Sequence, residues 1–324
     1  MIYEGSRSRD RSAQSHLTMQ PAKVLYLCGA GRGGGTLLGR LLDQHPEVFY
    51  AGELRQLWRP GLMQRVCACG ALIGACPFWQ AAFARLERAV GALDLAWLDA
   101  MRLKHTRTRH ALRFALGLLP GAEGRAFGAF LAALYRAVAD VSGARLIVDS
   151  SRSLAYAHLL RHTPGLRVRA LHLVRDPRRV VYSWQRAATG GRIGLEVRLR
   201  RKAFLSALAD WAAQNALAER ARRWGRDDYY RLRYEDLLAD PRGHLARLAR
   251  WLSLDPAPLT AAIADDGCSA TLRPGHSVEG NIYRRTAGLV MLDLDDAWRS
   301  AMPPIQQHLV AALGGVWMRR YGYS

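Results

Sequence analysis

Five short apolar segments, separated by stretches with a helical repeat, make up the pattern of hydrophobic positions along this chain. The segments cover residues 24–28, 48–50, 145–149, 166–174 and 229–234. Apolar runs that alternate with helical stretches are typical of parallel strands buried between two layers of helices. The pattern therefore predicts an α/β fold whose central parallel sheet is flanked by helices.

Helical periodicity fills most of the remaining chain. Apolar residues recur every three or four positions in residues 36–44, 77–141, 177–188, 195–224, 241–252, 256–264 and 304–318. Residues 77–142 contain no strand pattern, and Pro120-Gly121 divides them into two helical stretches. They predict a helical insertion that lies over the sheet. Residues 265–294 are weakly periodic and predict a loop.

The first apolar segment leads directly into a glycine-rich turn and the start of a helix. Gly29, Gly34 and Thr36 have the spacing of a P-loop, in which backbone N–H groups at a helix N-terminus bind a phosphate. Gly35 stands where a P-loop has the lysine that reaches the terminal phosphates of a nucleoside triphosphate. Arg32 is the cation inside the turn. The turn therefore predicts a P-loop-like sheet that binds an anionic nucleotide, and it argues against ATP or GTP hydrolysis.

A second polar segment follows the fourth apolar run. Arg175 comes directly after this run, and Ser183 lies in the helix that follows. A guanidinium and a hydroxyl at this spacing could bind one phosphate. The alternative is an Arg175–Asp176 pair that caps the strand end. His172 lies inside the apolar run and is predicted to be a core histidine.

Together the two segments resemble the sulfotransferases that use 3′-phosphoadenosine 5′-phosphosulfate (PAPS). Residues 29–37 are similar to the family motif G-x-x-R-S-G-T-T-L, and residues 175–184 are similar to R-D-P-R-x-x-x-x-S-W. The resemblance covers residues 24 to about 285 and implies the same α/β fold. Weaker similarities, some of them to the Golgi tyrosyl-protein branch and related bacterial enzymes, lie at residues 45–53, 149–152, 234–237 and 276–281.

The resemblance implies which residues bind the donor. In the family, the first motif binds the 5′-phosphosulfate, and the arginine and serine of the second motif bind the 3′-phosphate. Tyr234 is expected near the adenine, with core packing as the alternative. Arg284 is expected to close over the 3′-phosphate, with surface exposure as the alternative. The expected donor-binding residues are Gly31, Arg32, Gly33, Gly34, Gly35, Thr36, Leu37, Arg175, Ser183, Tyr234 and Arg284.

Three positions depart from the family motifs. Gly33 and Gly35 replace a serine and a hydroxyl residue, so backbone N–H groups must serve as donors to the sulfate end. Arg152 stands where the family has a lysine, and a guanidinium stabilises charge on a bridging oxygen with a different geometry. Because of these two glycines, a non-catalytic protein that binds the nucleotide is an alternative to an enzyme.

The expected reaction needs a general base and groups that stabilise negative charge. No metal is required, because the sulfuryl group carries less charge than a terminal phosphate. Arg32, the turn amides and Arg152 are expected to stabilise the departing phosphate. Glu53 follows a strand end and is the candidate base, since the matching glutamate is the base in the tyrosyl-protein branch. The alternative for Glu53 is an ion pair with Arg55 or Arg32, and His276 is the second candidate base.

The predicted function is in-line transfer of a sulfuryl group from PAPS to an acceptor hydroxyl or amine. The product would be adenosine 3′,5′-bisphosphate (PAP). The alternative enzyme class is a P-loop nucleotide kinase or ATPase, against which Gly35 argues. The acceptor is expected to be a small molecule, a lipid or a glycan, and the insertion at residues 77–142 is expected to lie on the acceptor side.

Charge and composition add little to this interpretation. The formal net charge is +20 over 324 residues, and the basic residues are nearly all arginine. This excess either attracts polyanionic ligands or reflects compositional bias, and no nucleic-acid-binding motif accompanies it. Residues 1–20 predict a mobile tail and lack the apolar core of a signal peptide. No apolar run is long enough for a membrane span, so we expect a cytoplasmic protein with one domain over residues 21–324.

The five cysteines are expected to be thiols, because the sequence carries no export signal. Cys67, Cys69 and Cys76 lie close together and could supply three metal ligands. A structural zinc ion normally has four ligands, and the sequence does not indicate the fourth. The alternative is that these cysteines pack a short loop before the helix that starts at Pro77.

Overall fold

The computed structural model describes residues 20–107, 110, 116–186 and 201–323. Its core is a five-stranded sheet with the strand order β2-β3-β1-β4-β5, and every pair of neighbours is parallel. The predicted α/β fold with a P-loop-like parallel sheet is therefore confirmed. The strands are β1 (Ala22–Cys28), β2 (Val48–Gly52), β3 (Leu146–Asp149), β4 (Leu166–Val174) and β5 (Tyr229–Arg233).

Helices cover both faces of this sheet. On the central strand β1, Val24, Tyr26 and Cys28 belong to one apolar layer, whereas Leu25 and Leu27 belong to the other. This alternation follows from the two-residue period of a strand. The α-helices are α1 (Gly35–Leu42), α2 (Pro77–Val90), α3 (Leu95–Thr106), α4 (Ala122–Ser142), α5 (Leu154–Arg161), α6 (Pro177–Gln185), α7 (Phe204–Glu219), α8 (Tyr234–Ala239), α9 (Pro241–Leu252), α10 (Ala257–Ala261), α11 (Trp298–Ala301) and α12 (Pro304–Tyr321).

The segment after β2 contains helices, as predicted, and the described part holds three of them: α2, α3 and α4. Helices α5, α8 and α11 were not predicted. The loop prediction for residues 265–294 is wrong in part, because β6 (Ser269–Leu272) and β7 (Gly288–Met291) form an antiparallel pair. Both strands have only four residues, which is too short for a clear alternation of apolar and polar positions. Residues 1–19 of the predicted tail (1–20) lie outside the described residues, as do the predicted helical residues 108–109, 111–115, 187–188 and 195–200.

A segment near the C-terminus extends the edge of the main sheet. The Val278 N–H donates to the Ala51 carbonyl at 2.9 Å, and the Glu53 N–H donates to the Val278 carbonyl at 2.9 Å. Gly52 makes this close approach possible: its φ is +85°, and a Cβ at this position would lie 2.1 Å from the Val278 carbonyl oxygen. Residues 276–281 therefore lie beside the strand that delivers Glu53.

His172 on β4 is a core histidine, as predicted. It is fully buried, and its ring nitrogens lie 2.8 Å from the Tyr229 hydroxyl and 2.9 Å from Asn215 Oδ1. Burial lowers the pKa of His172 to about 4, whereas an unfolded histidine titrates near about 6.5. The unfolded chain therefore takes up this proton first as the pH falls.

We expect this histidine to make the fold sensitive to acid. Its contribution is complete above about pH 6.5 and is lost as the pH falls towards about 4, with about 2 kcal/mol lost by about pH 5. Urea unfolding of the native protein and the His172→Gln variant, at about pH 7 and about pH 5, measures this difference. An equal loss of stability in both proteins would contradict the assignment.

Candidate active site

The carboxyl ends of the parallel strands surround one cavity of about 770 Å³. A cavity at this edge of a parallel sheet is the usual ligand site of such folds, and its volume falls in the range of small-molecule sites. Most of the residues predicted from the sequence line it together. They are Arg32, Gly33, Gly34, Gly35, Thr36, Leu37, Glu53, Arg152, Arg175, Ser183 and Tyr234.

Two predicted residues lie next to this cavity without lining it. Gly31 packs under a neighbouring helix, because a Cβ at this position would lie 2.9 Å from the Trp184 ring. Arg284 donates a hydrogen bond to the Val66 carbonyl at 2.5 Å, and burial lowers the pKa of its guanidinium. The structure therefore brings eleven predicted residues to one cavity and directs Arg284 towards the protein backbone.

The glycine-rich turn forms a cradle at the start of α1. Gly34 has a φ of +96°, and a Cβ there would lie 2.2 Å from the Tyr234 ring. At Gly35, the first residue of α1, a Cβ would meet no atom within 4 Å. The backbone N–H groups at this helix terminus therefore border open space in the cavity, which is the arrangement of an anion site.

The two glycines are expected to respond differently to a methyl group. Gly34→Ala lowers the free energy of unfolding by about 1–3 kcal/mol, because of the left-handed backbone and the tyrosine ring. Gly35→Ala leaves it within about 1 kcal/mol of the native value. Urea denaturation of both variants tests this pair. Equal effects at the two positions would show that the turn has a different conformation.

Two arginines in the cavity lack a counter-charge. Arg152 is paired with Glu53, and Arg186 is paired with Asp295. Arg32 and Arg175 have no carboxylate partner within the part of the chain that the structure describes. Burial and the nearby Arg152, Arg186 and Arg175 lower the pKa of Arg32. Such an excess of positive charge is stabilised by a bound anion.

Arg175 connects the two predicted motifs. Its Nη1 donates to the Arg32 carbonyl at 3.0 Å, and its guanidinium lies 4.7 Å from the centre of the Tyr234 ring. Its Nε is buried without a hydrogen-bond partner among the described residues. A buried donor without a partner is costly, and a bound acceptor would remove that cost.

A tryptophan from the second motif packs against the first motif. The Arg32 guanidinium lies 4.9 Å from the centre of the Trp184 ring, and Lys202 Nζ lies 4.4 Å from it. Trp184 itself lines the cavity. Stacking of this kind fixes a guanidinium in one orientation. Arg32 and Trp184 are 152 residues apart in the sequence, and the fold brings the two motifs to one site.

The backbone is strained around the cavity. Among the described residues, four non-glycine residues have a positive φ, and three of them line the cavity: Arg32 at 66°, Arg152 at 61° and Glu279 at 50°. A left-handed conformation in a non-glycine residue costs about 1–3 kcal/mol and concentrates at functional sites. The strain supports this cavity as the functional one.

Glu53 forms an ion pair with Arg152, and neither predicted partner, Arg55 or Arg32, takes that place. The Glu53 residue is only 8% exposed, yet it lines the cavity. Its position comes from β2, which ends one residue before it, and from the hydrogen bond to Val278. A buried carboxylate beside a cation at the cavity wall is suited to accept a proton from a bound hydroxyl.

Asp149 holds the loop that carries Arg152. Its carboxylate accepts hydrogen bonds from the Ser151 N–H at 2.7 Å and from the Tyr135 hydroxyl. Burial raises the pKa of Asp149 to about 6. The next residue, Ser150, shares a hydrogen bond with the Tyr50 hydroxyl at 2.9 Å. Arg152 therefore projects from a rigid turn after β3.

His276, the second candidate base, does not line the cavity. Its Nδ1 lies 3.3 Å from the Cys76 sulfur, and its ring stacks on Phe78. The neighbouring residues Glu279, Gly280 and Asn281 do line the cavity. The motif at residues 276–281 indicated this segment, but the residues of the motif that border the site are not the histidine.

A sequence model of the sulfotransferase family matches residues 25–258, which include both motifs of the cavity. This chain belongs to the sulfotransferase family. A search of curated proteins found no match. Among solved structures, the sulfotransferase domain from the curacin biosynthetic pathway is 17% identical, covers 94% of this chain and 99% of that domain, and has a TM-score of 0.50. This likeness shows the sulfotransferase fold.

Two other solved structures have lower TM-scores. The sulfotransferase domain from the Synechococcus PCC 7002 olefin synthase is 21% identical over 91% of this sulfotransferase and 95% of that chain, with a TM-score of 0.44. Retinol dehydratase in a complex with retinol and PAP is 14% identical over 93% of this chain and 82% of that chain, with a TM-score of 0.40. In the described part of this sulfotransferase, no helix is long and apolar enough to cross a membrane.

Several cavity residues were not predicted. Gln56, Arg59 and Arg186 line the cavity, as does the segment around β7. Arg59 pairs with Glu279 at 3.0 Å across a sequence separation of 220 residues. Such a pair leaves no local signal in a single sequence. Arg186, in contrast, lies two residues after the second motif, and this position could have indicated that it lines the cavity.

Proposed function

We propose that this sulfotransferase transfers a sulfuryl group from PAPS to an acceptor hydroxyl, with Glu53 as the general base. The observation that supports this most strongly is that Arg32 and Arg175 line one cavity without carboxylate partners. A single nucleotide with anionic groups at both ends of its ribose would neutralise both arginines. An acceptor amine in place of the hydroxyl requires the same residues.

The residues of the cavity fit this donor. The open helix terminus at Gly35 suits the 5′-phosphosulfate, since no side chain fills the space above it. Arg175, with its unpartnered Nε, and Ser183 suit the 3′-phosphate. Tyr234 packs between Gly34 and Arg175 and so supports both binding regions. When bound, the donor supplies the activated sulfuryl group.

The chemistry of the protein groups divides between charge stabilisation and proton transfer. With the donor bound, Arg32 and Arg152 would stabilise the negative charge that develops on the departing phosphate, since preorganised cations stabilise such a transition state. Arg152 also forms an ion pair with Glu53, which fixes the position of the side chain. Glu53 accepts the proton of the acceptor hydroxyl as the oxygen attacks, which is general-base catalysis. This division of roles requires no metal ion.

The apolar wall of the cavity around β7 suggests an acceptor with an apolar part. Leu289 is 69% exposed and Met291 is 50% exposed, and both line the cavity together with Tyr283. Exposed apolar side chains at a cavity mouth favour a ligand with matching apolar surface. A hydroxylated small molecule or lipid fits this wall better than a glycan does.

The helical insertion at residues 77–142 remains a proposed acceptor element of one domain over residues 21–324. None of its described residues lines the cavity. Helix α3 nevertheless ends close to the site, because the Ser153 hydroxyl donates to the Thr106 carbonyl at 2.5 Å. Ser153 directly follows Arg152, so the end of α3 approaches the catalytic side of the sheet.

Donor turnover tests the proposed function directly. Purified protein is incubated with ³⁵S-labelled PAPS and a set of hydroxylated apolar compounds, and the release of PAP and of labelled product is followed. We expect release of PAP that depends on an acceptor and needs no divalent metal. Magnesium-dependent turnover of ATP would support the kinase class instead. PAP binding without transfer to any acceptor would favour a non-catalytic nucleotide-binding protein.

A further inference from the structure

Three cysteines and a histidine form a cluster outside the cavity. They are Cys67, Cys69, Cys76 and His276, and one ligand atom from each lies within 4.8 Å of all the others. The Cys69 and Cys76 sulfurs are 3.6 Å apart, and the Cys76 sulfur is 3.3 Å from His276 Nδ1. None of these four residues lines the cavity at the carboxyl ends of the strands, so the proposed sulfuryl transfer does not use them.

The fold assembles this cluster from two distant parts of the chain. A tight turn, closed by the Gly70 N–H to the Cys67 carbonyl at 3.0 Å, brings Cys67 and Cys69 together. Cys76 lies directly before α2. His276 arrives on the C-terminal segment that pairs with β2, 200 residues further along the chain. This is why the sequence indicated three ligands and not the fourth.

We propose that Cys67, Cys69, Cys76 and His276 bind one Zn²⁺ ion in a structural site. Three thiolates and one imidazole are a known structural zinc set, and soft sulfur ligands around a tetrahedral centre select zinc. Four protein ligands close the coordination shell and leave no position for substrate. The role of this ion is therefore to hold the two chain segments together.

The distances agree with a single tetrahedral ion. Zinc–sulfur bonds of about 2.3 Å and zinc–nitrogen bonds of about 2.0–2.1 Å place neighbouring ligand atoms about 3.5–3.8 Å apart. Two separations in the cluster lie close to this range: 3.6 Å between the Cys69 and Cys76 sulfurs, and 3.3 Å between the Cys76 sulfur and His276 Nδ1. A disulfide would need sulfurs about 2.0 Å apart.

The surroundings of the cluster support a fixed ligand geometry. The Trp79 indole N–H donates to the His276 carbonyl at 2.7 Å, and the Phe78 ring stacks on the imidazole with centres 5.1 Å apart. Cys67 and Cys76 are completely buried, whereas Cys69 is exposed. Neighbours that fix a ligand histidine are typical of metal sites, and exposure of Cys69 gives the ion an entry path.

The zinc ion would fix the wall of the active site. His276 is two residues before Val278, whose carbonyl accepts the Glu53 N–H, and it is three residues before Glu279 at the cavity. Cys67 belongs to the segment that follows Glu53. One ion at this place would therefore connect the segment that follows Glu53 to the segment that binds the Glu53 backbone.

Metal analysis of the purified protein tests this site. The chain is expressed with zinc in the medium, purified without chelators and measured by inductively coupled plasma mass spectrometry. We expect about one zinc per native chain, and a loss of about tenfold in Cys69→Ser and in His276→Gln. His276→Cys keeps four ligands and should retain about one zinc. Cys268→Ser, which removes an exposed cysteine outside the cluster, is the matched control and should also retain it.

Folding of each variant is checked by circular dichroism. If one variant fails to fold, the zinc content of the native protein and of His276→Cys still decides the question. Cobalt substitution gives an independent measure, because thiolate ligands produce charge-transfer bands that His276→Gln and Cys69→Ser would lose. A folded native protein without zinc, an unchanged zinc content in both ligand variants, or a Cys69–Cys76 disulfide found by mass spectrometry would each overturn the proposal.

Discussion

Replacing Glu53 with glutamine lowers kcat for sulfuryl transfer by about 10²- to 10⁴-fold, the usual contribution of a general base. Glutamine has the same shape and still accepts a hydrogen bond from Arg152, so the cavity wall stays intact. It cannot take the proton of an acceptor hydroxyl. We therefore expect the dissociation constant for PAP to change by less than about threefold, because this constant depends on the arginines. Rates of PAP release at saturating donor, and calorimetric titration with PAP, measure the two quantities.

The control for this prediction is a carboxylate at the other end of the same strand. Glu47 precedes β2 and pairs with Arg145 at 2.7 Å on the protein surface. Glu47→Gln removes a comparable charge and is expected to leave both kcat and PAP affinity unchanged, since exposed pairs contribute little. If Glu53→Gln retains native kcat, Glu53 serves only as the partner of Arg152 and the base must be another group.

Replacing Arg175 with alanine weakens PAP binding by about 10- to 150-fold, which corresponds to the loss of about 1.5–3 kcal/mol from charge-assisted hydrogen bonds. Arg175 has a buried Nε without a partner and no carboxylate in reach among the described residues. Its charge is therefore available to a phosphate. Calorimetry or fluorescence titration with PAP gives the dissociation constants, and adenosine 5′-phosphate, which has no 3′-phosphate, should bind both proteins with similar affinity.

Arg178 provides the matched control in the same motif. It pairs with Asp176 at 2.7 Å and stacks on Trp298 at 4.7 Å, and it does not line the cavity. Arg178→Ala should bind PAP within about threefold of the native protein. A native dissociation constant in Arg175→Ala, or an equal loss in both variants, would reject the assignment of the 3′-phosphate to Arg175.

Much of the sheet could be predicted because its strands carry their own signal. Strands β2 and β3 are completely buried apolar runs, and β1 and β4 are buried over most of their length, whereas the edge strand β5 is largely half-buried and contains two arginines. The β6–β7 pair could not be predicted in the same way. Ser269 and Thr271 interrupt the first strand, and its partner lies about twenty residues away, so the pairing depends on tertiary contacts and not on local propensity.

In the candidate site, too, local motifs could be predicted from the sequence, whereas contacts between distant residues could not. The glycine turn and the Arg175–Ser183 segment each have a fixed internal spacing, and their pattern was enough to predict one shared anion site. Partners that come from distant parts of the chain were not predictable. Glu53 pairs with Arg152 instead of Arg55 or Arg32, and His276 meets the cysteines instead of the cavity. Only the folded topology selects among such candidates.

A crystal structure of the protein soaked with PAP tests the central claim, which is that one adenine nucleotide reaches both Arg32 and Arg175. We predict a single molecule per chain, with its 5′-phosphate at the N–H groups of residues 33–36 and its 3′-phosphate within hydrogen-bond distance of Arg175 and Ser183. A PAP molecule that contacts only one of the two arginines, or that binds outside the cavity, would contradict the account.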